Sequence, residues 1–386
     1  MTSYPKALVA SLLVLAIAVL LSLPVAAQAQ GLFTDPDDGA FDASAWLLDR
    51  KGFLPMPILI TEPAIGYGGG VALLFFRESI GEAATKAKGS GRLTPPNIYG
   101  IAAAATENGT KFGGAFGLVT FGDELWRWRG GVARPDINLD FYGVGGNLGT
   151  GDFKVGYNLE GWASTQQIMR RLGESENFIG ARWILLDLDS RFDSARPEPV
   201  LARGARAVRS SGLGLTFEHD SRDNFFTPSQ GWKGYVESMF YAPGIGSDNT
   251  YQTYRAYAFG YAPLAKQFVL GGRVALRAAR GDVPFYQLPF VELRGVPAAR
   301  YQDENTGVVE AEVRWNVTPR WALIGFIGAA RAWGFREGFS DAGTVTSKGA
   351  GFRYLIARRL GLYVGIDVAR GPEDTAFYLQ AGAAWR

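Results

Sequence analysis

The sequence of 386 residues has no cysteine and a single histidine, His219. A chain of this composition must therefore hold its fold together without disulfides. Zinc and copper sites need several imidazole or thiolate ligands, which one such chain does not supply, so we expect no metal and no other cofactor. The net charge of +2 gives no overall basis for binding nucleic acid, and no nucleic-acid partner is expected.

Long apolar runs are absent beyond the N-terminus. The longest, such as residues 71–76 and 101–105, are far shorter than the roughly 20 residues of a membrane-spanning helix. The N-terminus itself has a lysine, an apolar stretch over residues 7–23 and the small-x-small pattern Ala27-Gln28-Ala29. This arrangement predicts a cleaved signal peptide over residues 1–29, with a single-pass anchor as the alternative.

Glycine and aromatic residues are abundant, with 51 Gly, 25 Phe, 16 Tyr and 10 Trp, a composition typical of strands and turns. From Ala64 onwards, roughly sixteen strand-like segments, two of them at residues 125–133 and 137–146, are separated by Gly, Pro, Asp and Asn. We predict an all-β fold, a transmembrane antiparallel β-barrel of about 16 strands over residues 64–386. Residues 30–63 are predicted to be an N-terminal periplasmic segment with a brief helix capped at Asp42 or Ser44.

Two neighbouring segments indicate which strand face is apolar. Residues 309–315 alternate, with apolar side chains at odd positions and Glu310, Glu312 and Arg314 on the other face. Residues 321–333 place apolar side chains on one face, with a tryptophan at each end. Such a strand, tilted in a barrel, rises about 30 Å, close to the spacing of the two aromatic girdles of membrane barrels. The pattern favours a barrel with a polar lumen over a β-sandwich.

Two motifs in the second half of the chain carry a family resemblance. TFEHDSRDNFFTPSQGW, residues 216–232, has a strand-turn-strand pattern marked by Asp220, Arg222, Asp223 and Gly231. LRGVP, residues 293–297, contains the pair Arg294 and Gly295. Both segments resemble the barrel of the BamA/TamA outer-membrane assembly proteins, also called bacterial surface antigens, over roughly residues 57–385. The resemblance implies that Arg294 and Gly295 lie at the tip of a loop folded into the lumen.

The sequence departs from that family in three places. A valine replaces the aromatic residue that follows the Arg-Gly pair, and the strand that receives the loop, residues 326–330, lacks the expected acidic residue. Periplasmic POTRA repeats are absent, so a POTRA-less member is expected. A buried arginine needs acceptors, because an unpaired buried charge is costly. We therefore predict Glu310 and Glu312 as partners of Arg294, with a solvated loop arginine as the alternative.

The residues that suggest catalysis do not form a site. His219, Asp220 and Ser221 supply a base, an acid and a hydroxyl, but neighbouring strand residues point to opposite faces and cannot form an orienting pair. His219 is instead predicted to be an interfacial aromatic residue. The glycine-rich residues 66–70 lack the lysine of a phosphate-binding loop. We predict no catalytic residues and no metal site, and the protein is not expected to be an enzyme.

The resemblance implies an integral protein of the bacterial outer membrane that aids the insertion or translocation of protein or lipid. A porin-like channel for small solutes is the alternative. The expected partners are outer-membrane lipids and, because the terminal strand places an aromatic residue at Trp385, the barrel-assembly machinery during biogenesis.

Overall fold

The structure is a computed structural model, and it describes residues 31–49, 51–79, 81–82, 97–144, 154–193, 207–335 and 337–385. The predicted signal peptide, residues 1–29, lies outside the described residues. One short α-helix, α1 (Ser44–Leu48), precedes the strands, and three single-turn 3₁₀ helices lie at Pro243–Ile245, Phe285–Gln287 and Arg358–Leu360. No helix in the described part of the chain is long and apolar enough to cross a membrane.

Sixteen strands make up almost all of the regular structure. They are β1 (Gly52–Glu62), β2 (Gly66–Phe76), β3 (Ile98–Thr106), β4 (Lys111–Phe121), β5 (Trp126–Phe141), β6 (Val155–Arg171), β7 (Asn177–Phe192), β8 (Ala207–Asp220), β9 (Gly231–Tyr241), β10 (Tyr251–Ala265), β11 (Phe268–Gly281), β12 (Asn305–Asn316), β13 (Trp321–Trp333), β14 (Val345–Ala357), β15 (Leu362–Arg370) and β16 (Thr375–Ala381).

Each strand pairs antiparallel with the next to form a single sheet that curls into a nearly closed barrel. β1 and β16 lie side by side, but no hydrogen-bonded ladder joins them within the described residues. We call this junction the seam. The predicted all-β, sixteen-stranded antiparallel barrel is confirmed.

Consecutive strands alternate in direction, so the connections between them alternate between the two ends of the barrel. The turns 221–230, 317–320 and 358–361 lie at the same end as α1, which we call the α1 end. Segments 63–65, 282–304 and 371–374 share the other, the loop end.

The strand count agrees with the prediction although two individual strands do not. Residues 52–62, predicted to lie in the segment before the barrel, form β1 and pair with β2 along their whole length. The barrel therefore begins at Gly52 and not at residue 64. Segments 125–133 and 137–146, predicted as two strands, form the single strand β5 around Pro135. The omission of β1 and the division of β5 into two strands cancel, so the predicted number of strands is still correct.

Alternating side chains face outwards and into the lumen, as the sequence pattern predicts. On β13 the odd positions from Trp321 to Ile327 are exposed, and the even positions between them are buried. On β12 the apolar odd positions face outwards, whereas Glu310 and Arg314 are buried. Arg331, a cation on the outward face of β13, donates hydrogen bonds to Thr344 and to the carbonyl of Phe339 at the loop end. A long arginine at the rim of an apolar face is thereby provided with acceptors.

The segment before β1 docks against the α1 end of the barrel. Asp42 accepts a hydrogen bond from the backbone N–H of Ser44, the first residue of α1. Leu48 packs with Ala357 and Leu360 at the turn after β14. Residues 31–49 therefore lie against the α1 end of β14 and β15. Between this position and β1, the chain passes the end of β16.

Acidic residues of this segment surround two arginines of the barrel rim. Arg320 donates hydrogen bonds to Asp35 at 2.5 Å, Asp42 at 2.6 Å and Asp38 at 2.7 Å. Arg358 pairs with Asp35 at 2.7 Å. The hydrogen bond from Arg320 holds the pKa of Asp38 down at about 2. We call this set of ion pairs the acidic clasp.

The last described residues differ from the expectation for a regular closing strand. β16 ends at Ala381, and Gly382 adopts a φ of 83°, which favours glycine. A Cβ there would lie 2.7 Å from the carbonyl oxygen of Phe226. The chain turns inwards at this point, so Trp385 packs in the lumen against Phe259 and Tyr261 instead of facing outwards.

Candidate functional site in the lumen

The connection between β11 and β12, residues 282–304, folds into the barrel and is called the lumen loop. Its apolar residues Val291, Leu293 and Val296 are buried against Val308 of β12 and Ala330 of β13. Both of those wall residues occupy even positions, which face the lumen. Small and β-branched residues on the two receiving strands thus provide an apolar seat for the loop.

Arg294 lies at the tip of this loop and is held by three carboxylates. Its Nη1 lies 2.8 Å from Oε2 of Glu312 and 3.3 Å from Oδ2 of Asp367, and its Nε lies 3.4 Å from Oε1 of Glu310. The guanidinium also stacks over the ring of Phe326, 3.6 Å from its centroid. These carboxylates match the charge of the desolvated guanidinium, although its Nη2 is buried and forms no hydrogen bond within the described residues. The sequence placed Glu310 and Glu312 beside Arg294, and the structure brings all three together.

Two more arginines complete the cluster. Arg273 pairs with Glu310 at 2.6 Å, and Arg353 donates to both oxygens of Asp367 at 2.7 and 2.9 Å. Three arginines therefore face three carboxylates, and the cluster carries no net charge. Asp367, on β15, was not predicted from the sequence, because the family resemblance implies an acidic residue on β13. Its position in the period-two pattern, on the face opposite to Val364, Ile366 and Val368, was the available signal.

Gly295 is required by the geometry of the loop tip. Its φ is 85°, and a Cβ would lie 2.9 Å from the backbone nitrogen of Gly371. Its own N–H donates to the hydroxyl of Tyr378 on β16 at 2.9 Å. The Arg-Gly pair therefore links the loop tip to the β15–β16 side of the seam.

The hairpin motif forms a hydrogen-bonded turn between β8 and β9 at the α1 end. Arg222 donates two hydrogen bonds of 2.7 Å to the two oxygens of Asp220. Asp223 accepts the backbone N–H groups of residues 229 and 230. Gly231 has a φ of 90°, and a Cβ would lie 2.2 Å from the carbonyl oxygen of Ser221. These residues shape the turn and are separate from the Arg294 cluster.

His219 occupies the outer surface of the barrel. It shares its strand face with Leu215, which is 66% exposed, and its ring stacks on Trp232 at 4.2 Å. Its Nδ1 lies 2.9 Å from the side-chain oxygen of Asn177. The neighbouring Asp220 points into the barrel and pairs with Arg222, so histidine and aspartate are not brought together. Among the described residues, no group of histidine and carboxylate side chains has the arrangement of a metal site.

A sixteen-stranded barrel with a lumen loop held by Arg294 defines the structural class of the protein, and this architecture is similar to that of Omp85-type barrels. Residues 138–292 match the family model for the Omp85 superfamily domain, which confirms the resemblance to the BamA/TamA barrels. No curated protein matches the chain. No POTRA domain is present in the part of the chain that the structure describes.

Solved barrels show the same fold. The structure is similar to BamA from Haemophilus ducreyi lacking POTRA domains 1–3, with a TM-score of 0.59 and 12% identity over 86% of this chain and 70% of that one. It is similar to CdiB from Acinetobacter baumannii, with a TM-score of 0.57 and 11% identity over 86% of this chain and 60% of that one. For CdiB from Escherichia coli the TM-score is 0.54 and the identity 10%, over 85% and 62% of the two chains. The chain thus spans less than two thirds of either CdiB.

Proposed function

We propose that the protein is an integral barrel of the bacterial outer membrane that aids insertion or translocation of polypeptide or lipid at its seam. The predicted signal peptide supports export. A wide belt of exposed apolar side chains on the outer face supports membrane embedding, because soluble proteins rarely expose such surfaces. The belt includes Leu73, Ile101, Ile168, Leu215, Val236, Leu276, Val309, Leu323, Ile327 and Phe377.

The observation that carries the proposal is the unpaired seam. β1 contains Pro55 and Pro57, which have the same parity and so lack their N–H groups on the same edge of the strand. Because β1 keeps a continuous ladder with β2, the missing donors fit the edge that faces β16. On the other side, β16 ends at Ala381 where the chain turns into the lumen. Both features weaken closure between the two strands.

An unpaired strand edge within a bilayer is costly unless another strand occupies it. The seam can therefore accept a client strand by edge pairing, in the way that exposed sheet edges bind extended peptides. The lumen loop and Trp385 fill much of the interior, which favours this role over a porin-like channel for small solutes.

The test exploits the absence of cysteine from the chain. Cysteine pairs scanned along β1 and β16 will locate a pair that crosslinks, since disulfides require close and well-oriented Cβ atoms. In a deletion strain, we expect the locked variant to fail to restore the outer-membrane protein and lipid profile, and reductant to restore it.

The matched control is L73C with I101C, a directly paired position on β2 and β3 that leaves the seam free. This variant should complement with and without reductant. Full complementation by an oxidised, seam-locked barrel would refute a role for seam opening.

A further inference from the structure

A second cavity lies in the lumen at the α1 end, on the far side of the inward-turned tail from the lumen loop. Its volume is about 460 Å³, within the usual range of about 300–1,000 Å³ for small-molecule sites. One wall is cationic and comes from β5, β9 and the β8–β9 turn. The rest of the lining is apolar and comes from β4, the β8–β9 turn and the strands around the seam.

The cationic wall carries more positive than negative charge. Arg127, Arg129, Arg222 and Lys233 line the cavity together with Glu218 and Asp220, which leaves two positive charges in excess. Glu218 is only 2% exposed and is shared by Arg129 at 2.6 Å, Lys233 at 3.4 Å and Arg127 at 3.5 Å. Lys233 also lies 4.0 Å from Asp220, the partner of Arg222, so two carboxylates serve four cations and the wall is suited to an additional anion.

Two buried polar atoms at this wall have no partner. Nε of Arg127 and Oγ1 of Thr120 are both buried and form no hydrogen bond within the described residues. Both residues line the cavity, and they are directly paired on the neighbouring strands β4 and β5, so their side chains point to the same side of the sheet. Buried polar atoms of this kind are almost always satisfied, and these two belong to residues that line the cavity, so this part of the wall is suited to an acceptor group of a ligand.

The apolar wall continues from this point towards the seam. Met56 of β1, Leu118 of β4, Leu362 of β15 and Ala381 of β16 line it, and Phe225 and Phe226 cap it from the β8–β9 turn. The lumen faces of β1 and β2 are also apolar from Leu54 to Ile60 and from Gly66 to Phe76. A polar channel wall would carry charges here, whereas an alkyl chain can pack along this surface.

We propose that this cavity binds an anionic single-chain amphiphile. The acidic headgroup accepts hydrogen bonds from Arg127 and Thr120, and the alkyl chain lies along Met56, Leu118 and Leu362 towards the seam. The inference goes beyond the proposed function, since binding needs a folded barrel but neither strand insertion nor translocation.

The test is equilibrium binding to the full chain, refolded in nonionic detergent, with uptake by empty micelles subtracted. The probes are radiolabelled hexadecyl phosphate and hexadecanoate, and uncharged hexadecanol tests the headgroup. We expect saturable binding of the two anions at one site and binding of hexadecanol at least tenfold weaker. R127Q should weaken anion binding at least tenfold, as expected for a lost charge-assisted contact. T120V should weaken it roughly threefold to tenfold.

R255Q is the matched control. Arg255 also lies in the lumen but lines the separate cavity beside the lumen loop, so this variant should bind the probes like the unaltered protein. Heat-modifiable gel mobility will establish that each variant is folded, and T120V carries the test if R127Q does not fold.

Several results would overturn the proposal. These are an absence of saturable binding, equal binding of hexadecanol, and unchanged affinity in the folded variants. Displacement of the probes by inorganic phosphate at similar concentrations would show a simple anion site with no role for the alkyl chain. All of these readouts are independent of seam locking. The proposed function can therefore fail while this inference stands, and this inference can fail while the proposed function stands.

Discussion

At the scale of single residues, the carboxylates around Arg294 do not depend on it equally. Glu310 also pairs with Arg273, and Asp367 also pairs with Arg353. No second cation pairs with Glu312 within the described residues. Removal of the Arg294 guanidinium therefore leaves one nearly buried carboxylate without compensation, which is the costly case for an internal ion pair.

We predict that R294M lowers the free energy of unfolding by about 3–5 kcal/mol. Adding E312Q should return about 1–2 kcal/mol of that loss, because the unpaired carboxylate is then neutral. Urea unfolding in detergent micelles, followed by heat-modifiable mobility, measures both variants. E312Q alone is the control that completes the double-mutant cycle. Equal stability of R294M and the double variant would show that Glu312 is not held by Arg294.

The sequence could predict the glutamates but not the aspartate for a physical reason. Glu310 and Glu312 follow from period-two alternation on the strand next to the loop. Asp367 reaches Arg294 from β15 only because the barrel curves and the loop crosses its interior. Alternation gives the face of a side chain, whereas contacts across a lumen depend on curvature that no local pattern contains.

At the scale of strands, proline explains where the prediction failed. Pro135 led to β5 being divided, but the strand continues through it with unbroken pairing to β4. On the other side, pairing with β6 skips from Ala133 to Asp136 around Gly161 and Trp162. The irregularity absorbs the missing N–H. Because of Pro55 and Pro57, β1 was likewise not predicted as a strand. It tolerates these prolines because it has a hydrogen-bonded ladder on one edge only.

The acidic clasp provides a prediction at this scale. Asp38 has a pKa of about 2 in the folded protein against 3.8 normally, because Arg320 donates hydrogen bonds to it. A lowered folded pKa means that its contribution is fully present above pH 3.8 and is lost as the pH falls through about 2. We expect trypsin cleavage after Lys51 to be slow in the unaltered protein and markedly faster in R320Q at neutral pH.

Solvent exchange of residues 31–49, followed by mass spectrometry, extends this test to acid. Exchange should stay slow from pH 7 to pH 4, after correction for its intrinsic pH dependence, and rise only near pH 2. R331Q, at the opposite end of the barrel, is the control and should leave both readouts unchanged. Release of the segment between pH 6 and pH 4 would contradict a clasp held by Asp38 and Arg320.

At the scale of the whole molecule, the lumen loop and the inward-turned tail occupy the interior of the barrel. We predict a small single-channel conductance for the purified protein in planar bilayers. Replacing residues 285–300 with a short Gly-Ser linker should raise it several-fold, because Arg294 and the apolar loop residues that pack on β12 and β13 are removed together. The control shortens residues 337–343 outside the lumen and should have no effect. A large conductance before any change would support the porin-like channel instead.

The general architecture was predictable because it depends on repetition. Alternation, turn residues and chain length indicate an all-β barrel of about this size without any knowledge of contacts. The inward position of Trp385 was not predictable, because alternation continues through Ala383 in the sequence. Only the backbone turn at Gly382 redirects the tail, and next to this turn the N–H of Ala383 donates to the carbonyl of Phe226 in a distant hairpin.

The acidic clasp also has a mechanical consequence for the seam. At the α1 end, the acidic residues that precede β1 pass the end of β16 and form ion pairs with Arg320. At the loop end, Glu62 of β1 accepts the N–H of Ala298, and Tyr301 of the same loop donates to Glu373 between β15 and β16. Polar ties therefore bridge the junction near both ends, while its middle has no ladder. Under lateral load, we expect β1 and β16 to separate first in the middle of the seam, because contacts near both of its ends hold the two strands together.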